Sequence, residues 1–451
     1  MKTSLLASVI IFLNNLSYSQ TDSLPKIPFD GMDITWIVGQ NRQKNFPLVV
    51  TDKKSSETIL TASAYLDNYF NYNFAKPIDN THTSSSTIGR ANEFTLSLAS
   101  IGIESNYKNI IGKIWLQYGA THYIVQDLDV SVNRGRNTGT GNLKFIREAT
   151  AGYHFNKWYG VNIEMGIFLS YIGLESYLTQ ENWCYQRSMV SDFTPFYFQG
   201  ARLQAFPTKN YKVEFWIVNG WQTYNSFSKG PAVGISNLYR VSENTQLVAN
   251  FYYGKDTFNP DTLGNQSNRL RFHHDNSIVA RYSNHPSAKG ISQAAFCINS
   301  HYGFQYGMDV GDNITSKQHF MYGTSVSNRL WFSKNKLAIT LRGDYIANGG
   351  QYLAFSPSPV SPNDFTDMIV AEPNKAIKIL QSTATFDVMP NDHVTFRFEY
   401  GHRVANMPYF AGRGGTTSPS GWLNGPTTNL PWRPDLKKFE NRFTVAINFR
   451  L

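Results

Sequence analysis

From residue 57 onward, apolar and polar side chains alternate along this chain in segment after segment. Residues 159–171 carry Tyr159, Val161, Ile163, Met165, Ile167, Leu169 and Tyr171 on one parity, against Asn162, Glu164, Gly166 and Ser170 on the other. The stretch HVTFRFEYGHRV sets Val394, Phe396, Phe398 and Tyr400 against Thr395, Arg397, Glu399 and Arg403. A period of two places one set on each face of a strand. Helical periodicity is nowhere comparable. Such segments are predicted near 58–72, 92–103, 110–122, 145–155, 159–172, 195–206, 211–221 and 232–241. They continue near 246–254, 270–282, 293–306, 319–332, 337–347, 376–388, 393–404 and 440–451. The last of these, FTVAINFRL, alternates to the final residue, where chain ends usually fray. A terminal strand that pairs with the first strand would be held.

Every second connection is short: ESNYKN, NKW, PTKN, SENT, NHPSAKG, SKNK and PND. The others are long and rich in Gly, Pro, Asn and Ser. Short turns alternating with long loops, between strands of about ten residues, describe a closed antiparallel transmembrane β-barrel of about 16 strands. Sandwich strands run nearer five or six residues, and a propeller would show a fixed-period repeat. Aromatic residues crowd the strand ends (Tyr107, Tyr153, Phe155, Trp158, Tyr159, Phe206, Tyr211), as at a membrane interface. The expected fold is all-β.

Composition supports this. Charged residues make up 16% and aromatics 15% of the 451 residues, where a soluble domain carries about 25% charge. Residues 1–19 read as a secretory signal peptide, with Lys2, an apolar run from Leu5 to Leu13, and cleavage after Ser19. Segment 20–57 would be a periplasmic arm or a lumen insert, and 58–451 the barrel in the outer membrane. Cys184 and Cys297 make no disulfide framework and no zinc spacing. They would meet only if the third long loop enters the barrel.

Several stretches carry a family resemblance: GMDITWIVGQNRQK, AYLDNYFNYNFAKPIDNT, ANEFTLSLASIGIE, IGLESYLTQENWCYQRS and TPFYFQGARLQAF. They resemble the OmpL-like family of β-barrel porins of Gram-negative bacteria. The resemblance implies a porin-like role and brings no catalytic residue, metal or cofactor with it.

On the inner parity, basic residues somewhat outnumber acidic ones, which favours passive diffusion of small polar solutes with a mild anion preference. Many of these charges are expected to pair along the wall, as Arg342 with Asp344 or Arg397 with Glu399. Inner aromatics Tyr65, Tyr69, Trp115, Trp216 and Trp331 are either sugar platforms or space fillers. The third long loop, GLESYLTQENWCYQRSMVSD (173–192), carries Leu174, Tyr177, Leu178 and Trp183, apolar mass with a reason to fold inward. That would bring Glu175 and Glu181 towards Arg329, Arg342, Arg397 and Arg403, with Arg202 also on the inner face. These seven residues are the candidates for lining or narrowing the pore, with acids on one side and bases on the other. Expected partners are outer-membrane lipid, polar or anionic solutes and further copies of the chain, not nucleic acid. Two other functions compete. Long loops such as 405–438, with Trp422 and Trp432, or the basic residues Arg134, Arg136 and Lys144, could anchor or adhere. His273 and Asp275 with Arg271, or His82 near Ser84, could serve a hydrolase, though neither completes a nucleophile–base–orienter set. The pair in HHD suits a His oriented by a carboxylate, or half of a metal site.

Overall fold

The computed structural model describes residues 47–82, 85–126, 129, 140–226, 230–255, 270–306, 319–349, 352–353, 376–416 and 434–451. Residues 1–19, read above as a signal peptide, most of the segment 20–57, Ser84, Arg134, Arg136, Trp422 and Trp432 lie outside them. In chain order the strands are β1 (Leu48–Thr51), β2 (Thr58–Asn73), β3 (Phe94–Ser105), β4 (Ile110–Tyr118), β5 (Ile146–Phe155) and β6 (Val161–Leu169). There follow β7 (Tyr197–Thr208), β8 (Tyr211–Val218), β9 (Ala232–Ser242), β10 (Thr245–Gly254), β11 (Leu270–Asn284) and β12 (Ile291–Tyr306). The chain ends with β13 (Phe320–Phe332), β14 (Leu337–Gly349), β15 (Ile377–Val388), β16 (Val394–Ala405), the two-residue β17 (Phe410–Ala411) and β18 (Leu436–Lys437), and β19 (Phe439–Arg450).

Strands β2–β16 and β19 each pair antiparallel with the next, and β19 returns to β2, closing a 16-strand barrel. The seam runs from Arg442↔Asn73 to Arg450↔Tyr65, and Leu451 exchanges both backbone hydrogen bonds with Ala64. Closure is what holds the chain end, because no strand edge can be left open in hydrocarbon. Below that point β2 runs on, and β1 pairs with its residues 58–62 on the edge β19 has vacated. Tyr107 OH donates to Asp52 Oδ2 at 2.6 Å beside β1, a contact that holds the Asp52 carboxyl below its ordinary range.

Outward positions are apolar and exposed: Ile101, Met165, Ile217, Leu341, Leu380 and Phe398 belong to a band around the whole wall. Such a surface needs lipid against it. Inward positions mix polar and apolar side chains and are almost all buried, so the lumen is a packed interior on much of its circumference.

Three readings of parity require correction. The strand predicted over 110–122 stops at Tyr118, where Gly119 takes φ +129 and the chain turns into helix Ala120–Gln126. A Cβ at Gly119 would sit 2.4 Å from the Ser97 carbonyl, so only glycine makes that exit. Tyr171 lies past the end of β6, turns inward and stacks on Trp216 at 4.9 Å. Its hydroxyl reaches over Gly234, where a Cβ would lie 1.8 Å away, to donate to the Phe251 carbonyl at 3.0 Å. Phe206, expected at the interface girdle, is buried against Leu238 and Tyr159.

Candidate functional site

The third long loop lies inside the barrel. Apolar burial sets its course: Trp183 meets Trp331 edge-on at 5.8 Å, in a cluster with Leu174, Val279, Cys297 and Met389. Tyr185 is fully buried against Tyr69 and donates to Asp67 Oδ1 at 3.0 Å. Buried peptide groups must still be hydrogen-bonded, and the wall supplies the partners. Arg397 donates to the carbonyls of Thr179 (2.7 Å) and Asn182 (2.8 Å), and Arg329 to that of Trp183 (2.9 Å). Arg342 donates to the carbonyls of Gln186 (2.8 Å) and Arg187 (3.2 Å) and to Glu175 Oε1 (3.0 Å). From the opposite polarity, Glu399 accepts the N–H groups of Tyr185 (2.6 Å) and Gln186 (3.1 Å). Guanidinium forks suit this task, presenting several donors in one plane.

These arginines are also neutralised by the wall. Asp387 takes Arg397 at 2.7 Å and Arg329 at 2.8 Å; Asp344 takes Arg342 at 3.0 Å. Glu399 pairs with Arg442 at 2.7 Å, and Glu440 with Arg403 at 2.9 Å. The Arg342–Asp344 pair is as expected; Arg397 with Glu399 is not. Asp387 stands directly across the ladder from Arg397, within closer reach than a residue two along the same strand.

Of the seven candidates, Glu175, Arg329, Arg342 and Arg397 are therefore brought together by the loop. Glu181 ends the 3-10 turn Thr179–Glu181, whose first carbonyl Arg397 binds. Arg403 lies apart, with Glu440 and with His82 from the first loop. Arg202 stands on another stretch of wall, bonded to Glu164 and Glu214. Acids and bases thus interleave around the loop and do not face each other across a gap. The inner aromatics fill space: Tyr65, Tyr69, Trp115, Trp216 and Trp331 are all at most 7% exposed, leaving no sugar platform there.

Sequence parity missed Arg147. A bulge at β5 lets it face inward beside Glu148, where it lies 3.8 Å over the Trp115 ring and donates to Ser100 Oγ at 3.0 Å. Also unforeseen were the loop's backbone carbonyls, which carry no residue-type signal. Cys184 and Cys297 are free and buried.

Water reaches a different part of the inner wall. Lys113 on β4, Arg202 on β7 and Lys212 on β8 keep 27%, 17% and 16% of their side chains exposed. Their carboxylate partners Glu148, Glu164 and Glu214 keep 7%, 8% and 3%. In each pair the basic side chain is the more exposed.

No curated protein matches the chain by sequence. Among solved structures it is similar to the outer membrane channel DcaP of Acinetobacter baumannii, with TM-score 0.51 and 12% identity over 89% of this chain and 100% of that one. It is similar to an anion-selective porin from Comamonas acidovorans (TM-score 0.50, 8% identity, 88% and 100% covered) and to Pseudomonas putida OprB (0.50, 10%, 87% and 94%). Identities so low speak to the fold alone. The family model described as "Putative beta-barrel porin-2, OmpL-like" matches residues 59–446, nearly the whole of the barrel, and the chain belongs to that family of outer-membrane porins.

Proposed function

We propose that this barrel is a diffusion channel for small polar solutes with a mild preference for anions, narrowed by loop 173–192. The observation that carries the preference is the unequal exposure on β4, β7 and β8. Lys113, Arg202 and Lys212 keep part of their side chains exposed while their partners Glu148, Glu164 and Glu214 are buried. A passing ion meets the exposed charge at shorter range and in higher field than the covered one. The loop supports the narrowing: its carbonyls and Glu175 are tied to Arg329, Arg342 and Arg397, filling the opposite side of the lumen. Glu175, itself 16% exposed, and Glu181 then shape the constriction together with the buried arginines, and Arg202 lines the path itself.

The test is the reversal potential across a planar bilayer in a salt gradient, at low ionic strength where screening is weak. The wild-type barrel is expected to favour chloride over potassium. Lys113→Gln with Lys212→Gln should move the reversal potential towards the cation side. Unchanged selectivity in a correctly assembled double variant would sink the reading.

A further inference from the structure

We propose that His273, Asp275 and His301 form a binding site for a divalent transition-metal ion on the inner wall of the barrel. Asp275 on β11 stands directly opposite His301 on β12, and His273 is on the same face of β11 two residues earlier. All three are buried, at 0%, 0% and 2% exposure, and one donor atom from each lies within 4.8 Å of the others.

Proton bookkeeping in the surrounding hydrogen bonds points to a cation. Tyr352 OH donates its one hydrogen to the Phe272 carbonyl at 2.9 Å. Towards His273 Nδ1, at 3.0 Å, the hydroxyl must accept, so that nitrogen carries the hydrogen. Asn299 turns its amide nitrogen to Ser277 Oγ (3.0 Å) and the Asn276 carbonyl (3.2 Å). Its Oδ1 then faces His301 Nε2 at 3.0 Å and accepts from it. Both neutral rings are thereby left with a bare lone pair on the remaining nitrogen, His273 Nε2 and His301 Nδ1. Those two nitrogens face each other at 3.1 Å. Two lone pairs at that distance repel unless a positive centre lies between or beside them.

The spacing of the two nitrogens suits a metal. Two imidazole ligands on a tetrahedral zinc, each at about 2.0–2.1 Å, put their nitrogens about 3.3 Å apart. The third donor is present: Asp275 Oδ2 accepts from Asn250 at 2.9 Å, and the Gly173 N–H of the third loop lies beside the carboxylate, but Oδ1 accepts no hydrogen bond of good geometry among the described residues. A buried carboxylate oxygen without a well-formed hydrogen bond is costly. Two nitrogens and one oxygen are the ligand class that zinc and its neighbours take, with a coordination position open. Tyr352 and Asn299 play the outer role that orients ligating histidines through the far ring nitrogen. The rival occupant is a single proton shared between the two imidazoles, with Asp275 as counter-ion.

The experiment separates the two. Full-length mature barrel without a polyhistidine tag is stripped with chelator and refolded in detergent with Zn2+, then desalted. One zinc ion per chain is expected. Asp275→Asn and His301→Gln should each weaken zinc binding at least tenfold, while His285→Gln, in an exposed turn, should not change it. Zinc X-ray absorption on the wild-type protein gives an answer even if the variants fold poorly: two imidazoles and at least one oxygen are expected. No retained zinc would overturn the proposal and leave the shared proton as the occupant. Equal binding by the folded variants, or a sulfur or all-oxygen zinc environment, would overturn it too.

Discussion

Asp387 accepts two guanidinium groups, Arg397 at 2.7 Å and Arg329 at 2.8 Å, while fully buried itself. Removing one partner of a buried pair leaves an uncompensated charge, at a cost of about 3–5 kcal/mol. Asp387→Ala should therefore destabilise the folded barrel by about that much in urea titrations from lipid vesicles. Phe398→Arg, on the lipid face of the neighbouring strand, should cost about 2–4 kcal/mol near the membrane midplane. Parity alone would make inner-face changes milder than outer-face ones. Here the difference disappears, because Asp387 holds Arg397 and Arg329, and those arginines hold the loop. If Asp387→Ala left stability unchanged, the network would contribute nothing. At this scale the sequence reveals the face of a side chain but not its partner. Alternation orders residues by side, whereas inward neighbours on the same strand, the adjacent strands and the loop all compete for one arginine. Arg147 shows the other limit: a single bulge moves it to the inner face, and nothing in its immediate pattern marks the bulge.

Strand boundaries were legible to within a few residues, since alternation, short turns and closure all constrain them together. What ended early was β4, where Gly119 starts a helix that no alternating pattern could announce. Loop 173–192 was legible in destination and less so in chemistry. Its Leu174, Tyr177 and Trp183 signalled burial, and Trp183 is packed on Trp331. Much of its attachment is through peptide carbonyls and N–H groups, which carry no residue-type signal. Deleting residues 175–187 should raise single-channel conductance severalfold in a bilayer, because that segment fills lumen that the wall alone would leave to water. The deletion also strands Arg329, Arg342 and Arg397 without the loop carbonyls, so assembly should be checked by heat-modifiable mobility first. An assembled deletion barrel with unchanged conductance would show that the loop does not narrow the path.

Across the whole molecule, the lumen divides into two unlike halves. Along β13–β16 and β19 the inner wall is packed against the loop, with Thr395, Glu399, Thr444 and Asn448 at 0–1% exposure. Along β4, β7 and β8 the charged side chains still touch water. A solute path through this barrel is therefore expected off-centre, along the second half. Cysteine accessibility tests that asymmetry directly. Cys184 and Cys297, both buried, would first be replaced by serine. A small charged methanethiosulfonate reagent should then modify Lys113→Cys and Lys212→Cys at least tenfold faster than Thr395→Cys and Thr444→Cys. Attachment at the first two positions should also lower conductance, since the added group would stand in the path. Equal rates at all four positions would mean that the loop leaves the lumen in the membrane, and that water fills the barrel evenly. Fast reaction without any change in conductance would place the conducting route elsewhere, and the basic residues of β4, β7 and β8 would then not set ion preference.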